Sequence, residues 1–118
     1  MKFLLFIFLF MSSFLGKKEI ISMKGNATYY ASKFEGRRTT SGEILRNNKL
    51  TAAHKKLPFG TMVTVRNLNN DKIVVVMVND RGPYGKGMII DLSQSAAKEI
   101  DLYGKGVVPC EISYELQK

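Results

Sequence analysis

Thr61-Met-Val-Thr-Val-Arg-Asn67, Asn69-Asn-Asp71 and Lys72-Ile-Val-Val-Val-Met-Val78 read together as two strands and the turn between them. In the first run Val63, Val65 and Asn67 alternate with Met62, Thr64 and Arg66, the period of two that a half-buried strand shows. The second run is almost continuously β-branched, which suits a pleated surface. The Asn-Asn-Asp stretch supplies residues that tolerate a tight reversal. A β-hairpin is therefore predicted in the middle of the chain, and the remaining elements are read outward from it.

Toward the C-terminus, Asn79 to Gly87 contains three glycines and a proline and reads as a loop. Met88 to Leu92 is short and apolar, hence a strand. Ser93 is placed to cap a helix through Ile100, with Ala96, Ala97 and Ile100 at helical spacing. Tyr103-Gly104-Lys105-Gly106 then turns the chain into a last strand, Val107 to Glu115. Toward the N-terminus, Pro58 and Gly60 mark a turn, and Asn47 to His54 suits one or two helical turns. Ser32 to Gly42 is a polar, basic loop, Gly25 to Ala31 has strand-forming residues, and Glu19 to Lys24 reads as a connector. Short strands, glycine turns and one or two short helices predict a mainly β domain closed into a small barrel.

The first residues are different in kind. Lys2 is followed by an apolar run from Phe3 to Leu15, the layout of a secretory signal peptide. The run is shorter than the roughly 20 residues a membrane span needs. Residues 1–21 are thus expected to be a signal and 22–118 the barrel domain. Gly16 can occupy the last position before a cut, but Phe14 is too bulky for an ideal site, so an uncleaved segment is the one expected route to a membrane. The expected location is outside the cytoplasm, in the periplasm or cell envelope or secreted.

The chain has a net charge of +8 over 118 residues and a single cysteine, Cys110. Removing residues 1–21 takes away Lys2, Lys17, Lys18 and Glu19 and leaves about +6. An exported basic protein points to an acidic wall polymer as partner and away from nucleic acid. One cysteine excludes an internal disulfide, so the fold stands on packing, and the apolar neighbours of Cys110 point to a buried thiol. No second histidine or cysteine lies at ligand spacing from His54, so neither metal nor cofactor is expected.

Acidic residues are few, and their placement is informative. Glu43 follows Thr39-Thr40-Ser41-Gly42 in a loop, Asp80 lies in an Asp-Arg-Gly-Pro turn, and Asp91 sits between Ile90 and Leu92. Arg81 beside Asp80 favours its ionised form, whereas apolar flanks raise the pKa of Asp91. Two carboxyls pushed apart in this way suit cleavage of a glycosidic bond. The structural alternatives are that Asp91 caps the following helix and that Asp80 holds its own turn. Tyr29, Tyr30, Phe34 and Tyr84 are candidate sugar-stacking faces or core residues.

Six fragments, in order, form a wider pattern: Gly25-Asn-Ala-Thr-Tyr-Tyr-Ala, Phe34-Glu-Gly-Arg-Arg-Thr-Thr-Ser-Gly-Glu43, Leu50-Thr-Ala-Ala-His54, Leu57-Pro-Phe-Gly-Thr, Val78-Asn-Asp-Arg-Gly-Pro-Tyr84 and Ile89-Ile-Asp-Leu-Ser93. This series resembles the rare lipoprotein A (RlpA) family over residues 25 to 115. The resemblance implies a six-stranded double-psi β-barrel of the barwin and expansin kind. It also implies endolytic lytic transglycosylase activity on peptidoglycan, between N-acetylmuramic acid and N-acetylglucosamine of peptide-poor strands, leaving 1,6-anhydro ends. Glu43, His54 and Asp80 fall on the family's functional positions, and Asp91 matches an aspartate of the related expansin barrels. On that basis Asp91 is the expected proton donor, with Asp80 next, and Glu43 and His54 orient the sugar or tune the acid. Arg81, Tyr30, Thr39 and Tyr84 are the expected substrate-binding residues, with Arg81 paired to a muramic carboxylate. The family's usual lipid-anchor cysteine and C-terminal repeat domain have no counterpart in the sequence, so a monomeric soluble or signal-anchored member is expected. The alternative function is an expansin-like module that binds or loosens wall polysaccharide without cleaving it. A barwin-type inhibitor is disfavoured by the single cysteine.

Overall fold

The computed structural model describes residues 18–116. The apolar run read as an export signal lies outside the described residues. Six strands follow one another as β1 (Ile20–Tyr29), β2 (Thr51–Ala53), β3 (Met62–Asn67), β4 (Ile73–Asp80), β5 (Met88–Leu92) and β6 (Val108–Glu115). One α-helix, α1 (Gln94–Glu99), and a 3-10 turn at Ser32–Phe34 complete the set. The strands close in the order β1-β5-β2-β4-β3-β6. Two pairs, β1 with β5 and β2 with β4, run parallel, and the other four are antiparallel. This is the small closed barrel read from the strands and turns, with the six-stranded double-psi form that the resemblance implies.

The central hairpin forms as read. Val63 pairs with Val76 and Val65 with Val74, so the buried valines of both strands face one another across the barrel wall. Asn67 ends β3 and organises the reversal. Its carbonyl accepts the Asp71 amide at 2.7 Å, its Oδ1 accepts the Asn69 amide at 2.9 Å, and its Nδ2 donates to the Ile100 carbonyl at 2.8 Å. A buried amide must satisfy its polar atoms, and here it does so by joining the turn to the end of α1. Asp71 takes the left-handed conformation at φ 62° that closes the turn. The hairpin valines, Ile90, Leu92, Ile100, Leu102 and Ile112 form one core, each burial being worth about 1.5–3 kcal/mol. Cys110 lies inside that core, where burial pushes its thiol up to about 11. It is a packing residue.

Helix α1 also starts as read, with Ser93 as N-cap and its hydroxyl accepting the Ala96 amide at 3.3 Å. Two segments differ from expectation. Asn47 to His54 is not helical: after a turn, Thr51–Ala53 forms β2, which pairs with β4 on one side and β5 on the other. Alanine favours helix locally, but three buried residues between two strands are held by ladder bonds that a helix would leave unmade. Glu19 to Lys24 is not wholly a connector either. Strand β1 begins at Ile20 and pairs with β6 from Ile20↔Glu115 onward, so it starts two residues before the boundary drawn at Ser22.

Candidate active site

Strand β2 sits between β5 and β4, and its last residue is the centre of the site. Ala53 pairs with Asp91 of β5 and with Asp80 of β4. Across three adjacent strands the two aspartate Cα atoms are about 10 Å apart. The register on the β4 side is irregular, since Ala52 pairs with Val78 but Ala53 with Asp80. This bulge matters. A regular ladder would bring Asn79 beside Ala53 and turn Asp80 to the opposite face. The extra residue instead aims both carboxyls outward on the face that Ala53 occupies, with only a methyl group between them.

The floor of that face is a small second cluster of Tyr30, Leu45 and Ala53, with Phe34 packed against it. Tyr30 follows β1 and its hydroxyl donates to Asp80 Oδ2 at 2.6 Å. Asp80 Oδ1 accepts the backbone amides of Thr40 and Arg81, each at 2.9 Å. Burial raises the pKa of Asp80, but the bonds from Tyr30, Thr40 and the Arg81 amide outweigh it, and the net shift is downward. Burial raises the Tyr30 phenol, and the neighbouring Asp80 carboxylate raises it further, so Tyr30 stays a donor. Asp80 is therefore held ionised. The cause differs from the one read in sequence: it is the Arg81 amide that bonds the carboxylate, while the guanidinium turns elsewhere.

Asp91 has the opposite surroundings. It is flanked by buried Ile90 and Leu92, and among the described residues its carboxyl takes one hydrogen bond, from Thr28 Oγ1 to Oδ1 at 3.0 Å. Burial is the largest influence, offset in part by Thr28 and reinforced by the Asp80 charge, and together they push Asp91 up to about 6. It does not cap α1, which Ser93 does. The two carboxyls thus titrate in different ranges, Asp80 below and Asp91 above the ordinary carboxylate value, the contrast that the flanking residues suggested. Thr28 was not singled out in the sequence. Its position opposite Asp91 in the parallel β1–β5 ladder is a register fact, invisible until the strands are paired.

The other expected residues divide. Glu43 is exposed, and its carboxylate takes no hydrogen bond or ion pair from the described residues. Its backbone carbonyl accepts both the amide and the hydroxyl of Thr39, each at 2.7 Å. Thr39 is buried and shapes this loop, which docks on β4 through the Ser41 amide to the Asn79 carbonyl and the Thr40 amide to Asp80. His54 follows Ala53 directly, but its ring turns to its own loop: Nδ1 accepts the amides of Lys56 and Leu57, each at 3.1 Å. Burial, then Arg81 and Lys55, lower its pKa, so the imidazole is neutral with the proton on Nε2.

Arg81 is committed to the same loop. Its Nη1 donates to the carbonyls of His54 and Leu57 at 3.2 and 2.9 Å, and its guanidinium lies 4.1 Å from the Phe59 ring centroid. Of the aromatic candidates, Tyr84 stays 78 % exposed, with its ring near Gly82, where an added Cβ would lie 3.6 Å from that ring and 4.0 Å from the Ala53 methyl. Tyr29 instead lies against Tyr103 and accepts the Gly104 amide, and Phe34 is covered by Lys33 and Arg37. Among the described residues no cluster of histidine, cysteine and acidic side chains is arranged to hold a metal. A hollow of about 410 Å³ lies away from the carboxyls, between Ile20, Met62, Val75 and Ser113.

Residues 22–112 match the family model described as lytic transglycolase. The chain is 55 % identical over 83 residues to the endolytic peptidoglycan transglycosylase RlpA of Pasteurella multocida, covering 70 % of this chain and 28 % of that protein. It is 50 % identical over 94 residues to the probable endolytic peptidoglycan transglycosylase RlpA of Treponema pallidum, covering 80 % and 30 %. The chain thus spans less than a third of the length of these relatives. Among solved structures it is similar to the Streptomyces papain inhibitor, with a TM-score of 0.64 at 24 % identity, covering 82 % of this chain and 96 % of that one. It is also similar to the Clavibacter michiganensis expansin, with a TM-score of 0.63 at 18 % identity, covering 83 % and 52 %. At these identities the structural likeness carries the fold alone.

Proposed function

This chain belongs to the RlpA family, and we propose that it is an endolytic lytic transglycosylase acting on peptide-poor peptidoglycan strands outside the cytoplasm. The observation that carries the reading is the pair of carboxyls on either side of Ala53, one held ionised and the other raised to about 6, where it can still carry a proton.

Asp91 is the acid. Its Oδ1 is bonded by Thr28, and its Oδ2, with no partner among the described residues, carries the proton toward the substrate. Asp91 protonates the oxygen between N-acetylmuramic acid and N-acetylglucosamine, and that bond breaks. Positive charge develops at the muramic C1 and ring oxygen, and the Asp80 carboxylate, fixed by three donors, stabilises it without reorganising. The Asp91 carboxylate then takes the proton of the muramic 6-hydroxyl as that oxygen bonds to C1. This gives the 1,6-anhydro ring and returns Asp91 to its starting state, so no water is consumed. Tyr84 offers the exposed ring on which a sugar stacks.

The test incubates the purified protein with peptide-free glycan strands and identifies products by mass spectrometry. The expected products end in 1,6-anhydro-N-acetylmuramic acid, and Asp91→Asn abolishes them. Strands that are bound but yield no anhydro ends would instead make the protein a non-cleaving wall-binding module. Full activity of Asp91→Asn would overturn the assignment of the acid.

A further inference from the structure

A muramic acid residue without its peptide carries a carboxylate, and Arg81, expected to meet it, has its guanidinium committed to two carbonyls and a phenyl ring. We propose that Lys33 and Arg37, gathered on the Phe34 ring that packs against Tyr30, form a carboxylate-binding clamp and take the lactyl carboxylate of a peptide-free muramic acid residue. The proposal rests on the glycan reading above and adds the subsite that recognises its charged group.

Most of the cations near this face already have partners. Arg46 pairs with Glu35, and Arg38 donates to the Gly42 carbonyl. The Lys33 ammonium and the Arg37 guanidinium make no hydrogen bond or ion pair with the described residues, and both residues are exposed. They share one support: Lys33 Nζ lies 5.3 Å and the Arg37 guanidinium 4.9 Å from the centroid of the Phe34 ring. Among the described residues no other ring carries two cations.

That support is fixed to the site. Phe34 packs on the Tyr30–Leu45–Ala53 floor, and its ring meets Tyr30 edge to face at 6.4 Å. Tyr30 is the residue whose hydroxyl holds Asp80. The two cations are thus anchored, through one aromatic contact each, to the floor from which the carboxyls project. A ring that steadies long side chains before binding reduces the ordering they lose on binding. Two like charges drawn to one ring without an acidic partner are relieved by an anion between them. The charged group of the proposed substrate is a carboxylate, one per disaccharide once the peptide is gone. An attached peptide turns it into a neutral amide and moves the nearest carboxylates outward along the stem.

The test compares binding of the full protein to three strand preparations by isothermal titration calorimetry: peptide-free strands, the same strands with carboxylates capped as methylamides, and peptide-bearing strands. The wild type is expected to bind the free-carboxylate strands about fivefold tighter than the capped ones, as two exposed charge pairs allow. In Lys33→Gln/Arg37→Gln that ratio falls to about one. The capped strands test the subsite without altering the protein, so a folding defect in the variant leaves the comparison intact. A wild type that does not distinguish free from capped strands, or a double variant that keeps the full ratio, overturns the clamp. Tighter binding of peptide-bearing strands overturns the lactyl assignment. Anhydro products formed with no charge preference refute the clamp alone, and charge preference without anhydro products refutes the enzyme reading alone.

Discussion

Asp80 and Asp91 never pair with each other, yet both are register partners of Ala53, one from each side. The relationship depends on the one-residue irregularity opposite Ala52 and Ala53, which brings Asp80 rather than Asn79 into the row. An aspartate that reads in the sequence as part of a turn is thereby placed in one row with Asp91.

The proposed mechanism implies a bell-shaped pH dependence, since it needs Asp91 protonated and Asp80 ionised. The rate constant kcat/KM should fall as pH rises past about 6, where Asp91 loses its proton, and fall again at acid pH where Asp80 gains one. Part of the Asp91 shift comes from the Asp80 charge. In Asp80→Asn the Asp91 carboxyl should therefore titrate at lower pH than in the wild type. Carbon-13 NMR of the side-chain carboxyls reads this directly, even in an inactive variant. An unmoved Asp91 titration would show that the two groups are not coupled.

Asp91 should also cost the protein stability at neutral pH. Its folded pKa, about 6, lies above the ordinary carboxylate value, so between those pH values the folded state binds more protons than the unfolded chain. The stabilising contribution is present at low pH and is lost as pH rises through 6. Asp91→Asn keeps an acceptor for Thr28 and removes the charge. It is expected to abolish cleavage while raising stability at pH 7 by about 1–2 kcal/mol, measured by urea unfolding. At pH 4 the difference should vanish. A variant less stable than the wild type at pH 7 would contradict this account.

What the sequence made legible follows from which signals are local. The valine alternation of β3 and the β-branched run of β4 state their own period, and Ser93 states its own cap. Strand β2 does not: three residues carry no period, and Ala52 and Ala53 are strand only because β4 and β5 lie on both sides. The start of β1 was hidden for a similar reason, since Ile20 to Lys24 pair only with β6 and stay largely exposed. The contrast between Asp80 and Asp91 could be read from flanking residues. The agents of that contrast could not. Thr28 and Tyr30 reach their aspartates across more than 45 residues of chain, and the amide of Arg81, not its charge, holds Asp80.

Tyr30→Phe isolates one of those agents. The ring remains to fill the floor beside Leu45 and Ala53, and only the 2.6 Å bond to Asp80 is lost. Asp80 keeps its two amide donors, so its pKa rises toward the ordinary value. The acid limb of the pH profile should move to higher pH while the alkaline limb, set by Asp91, stays. A depressed carboxylate stabilises the fold above its unfolded pKa and ceases to do so as pH falls through the folded one. The variant should accordingly lose about 1–2 kcal/mol at pH 7, and less at low pH. Movement of both limbs together would assign Tyr30 a different role.

His54 separates loop support from chemistry. Its Nδ1 accepts the amides of Lys56 and Leu57, and its carbonyl, with that of Leu57, receives Arg81. Protonating Nδ1 would turn an acceptor into a donor facing two donors. Burial, Arg81 and Lys55 all oppose that protonation, so the folded pKa lies below the unfolded one. The stabilising contribution is present above the unfolded value, about 6.5, and is lost as pH falls through the folded one. Amide hydrogen exchange at Lys56 and Leu57 should accelerate in His54→Ala and, in the wild type, as pH falls through the lowered folded pKa of His54, after correction for intrinsic rates. His54→Asn retains an acceptor at a similar position and is expected to restore part of the protection. If it restores protection without restoring cleavage, the imidazole takes part in the reaction through Nε2–H as well. If it restores both, the histidine serves catalysis by holding the loop that carries Phe59 against Arg81.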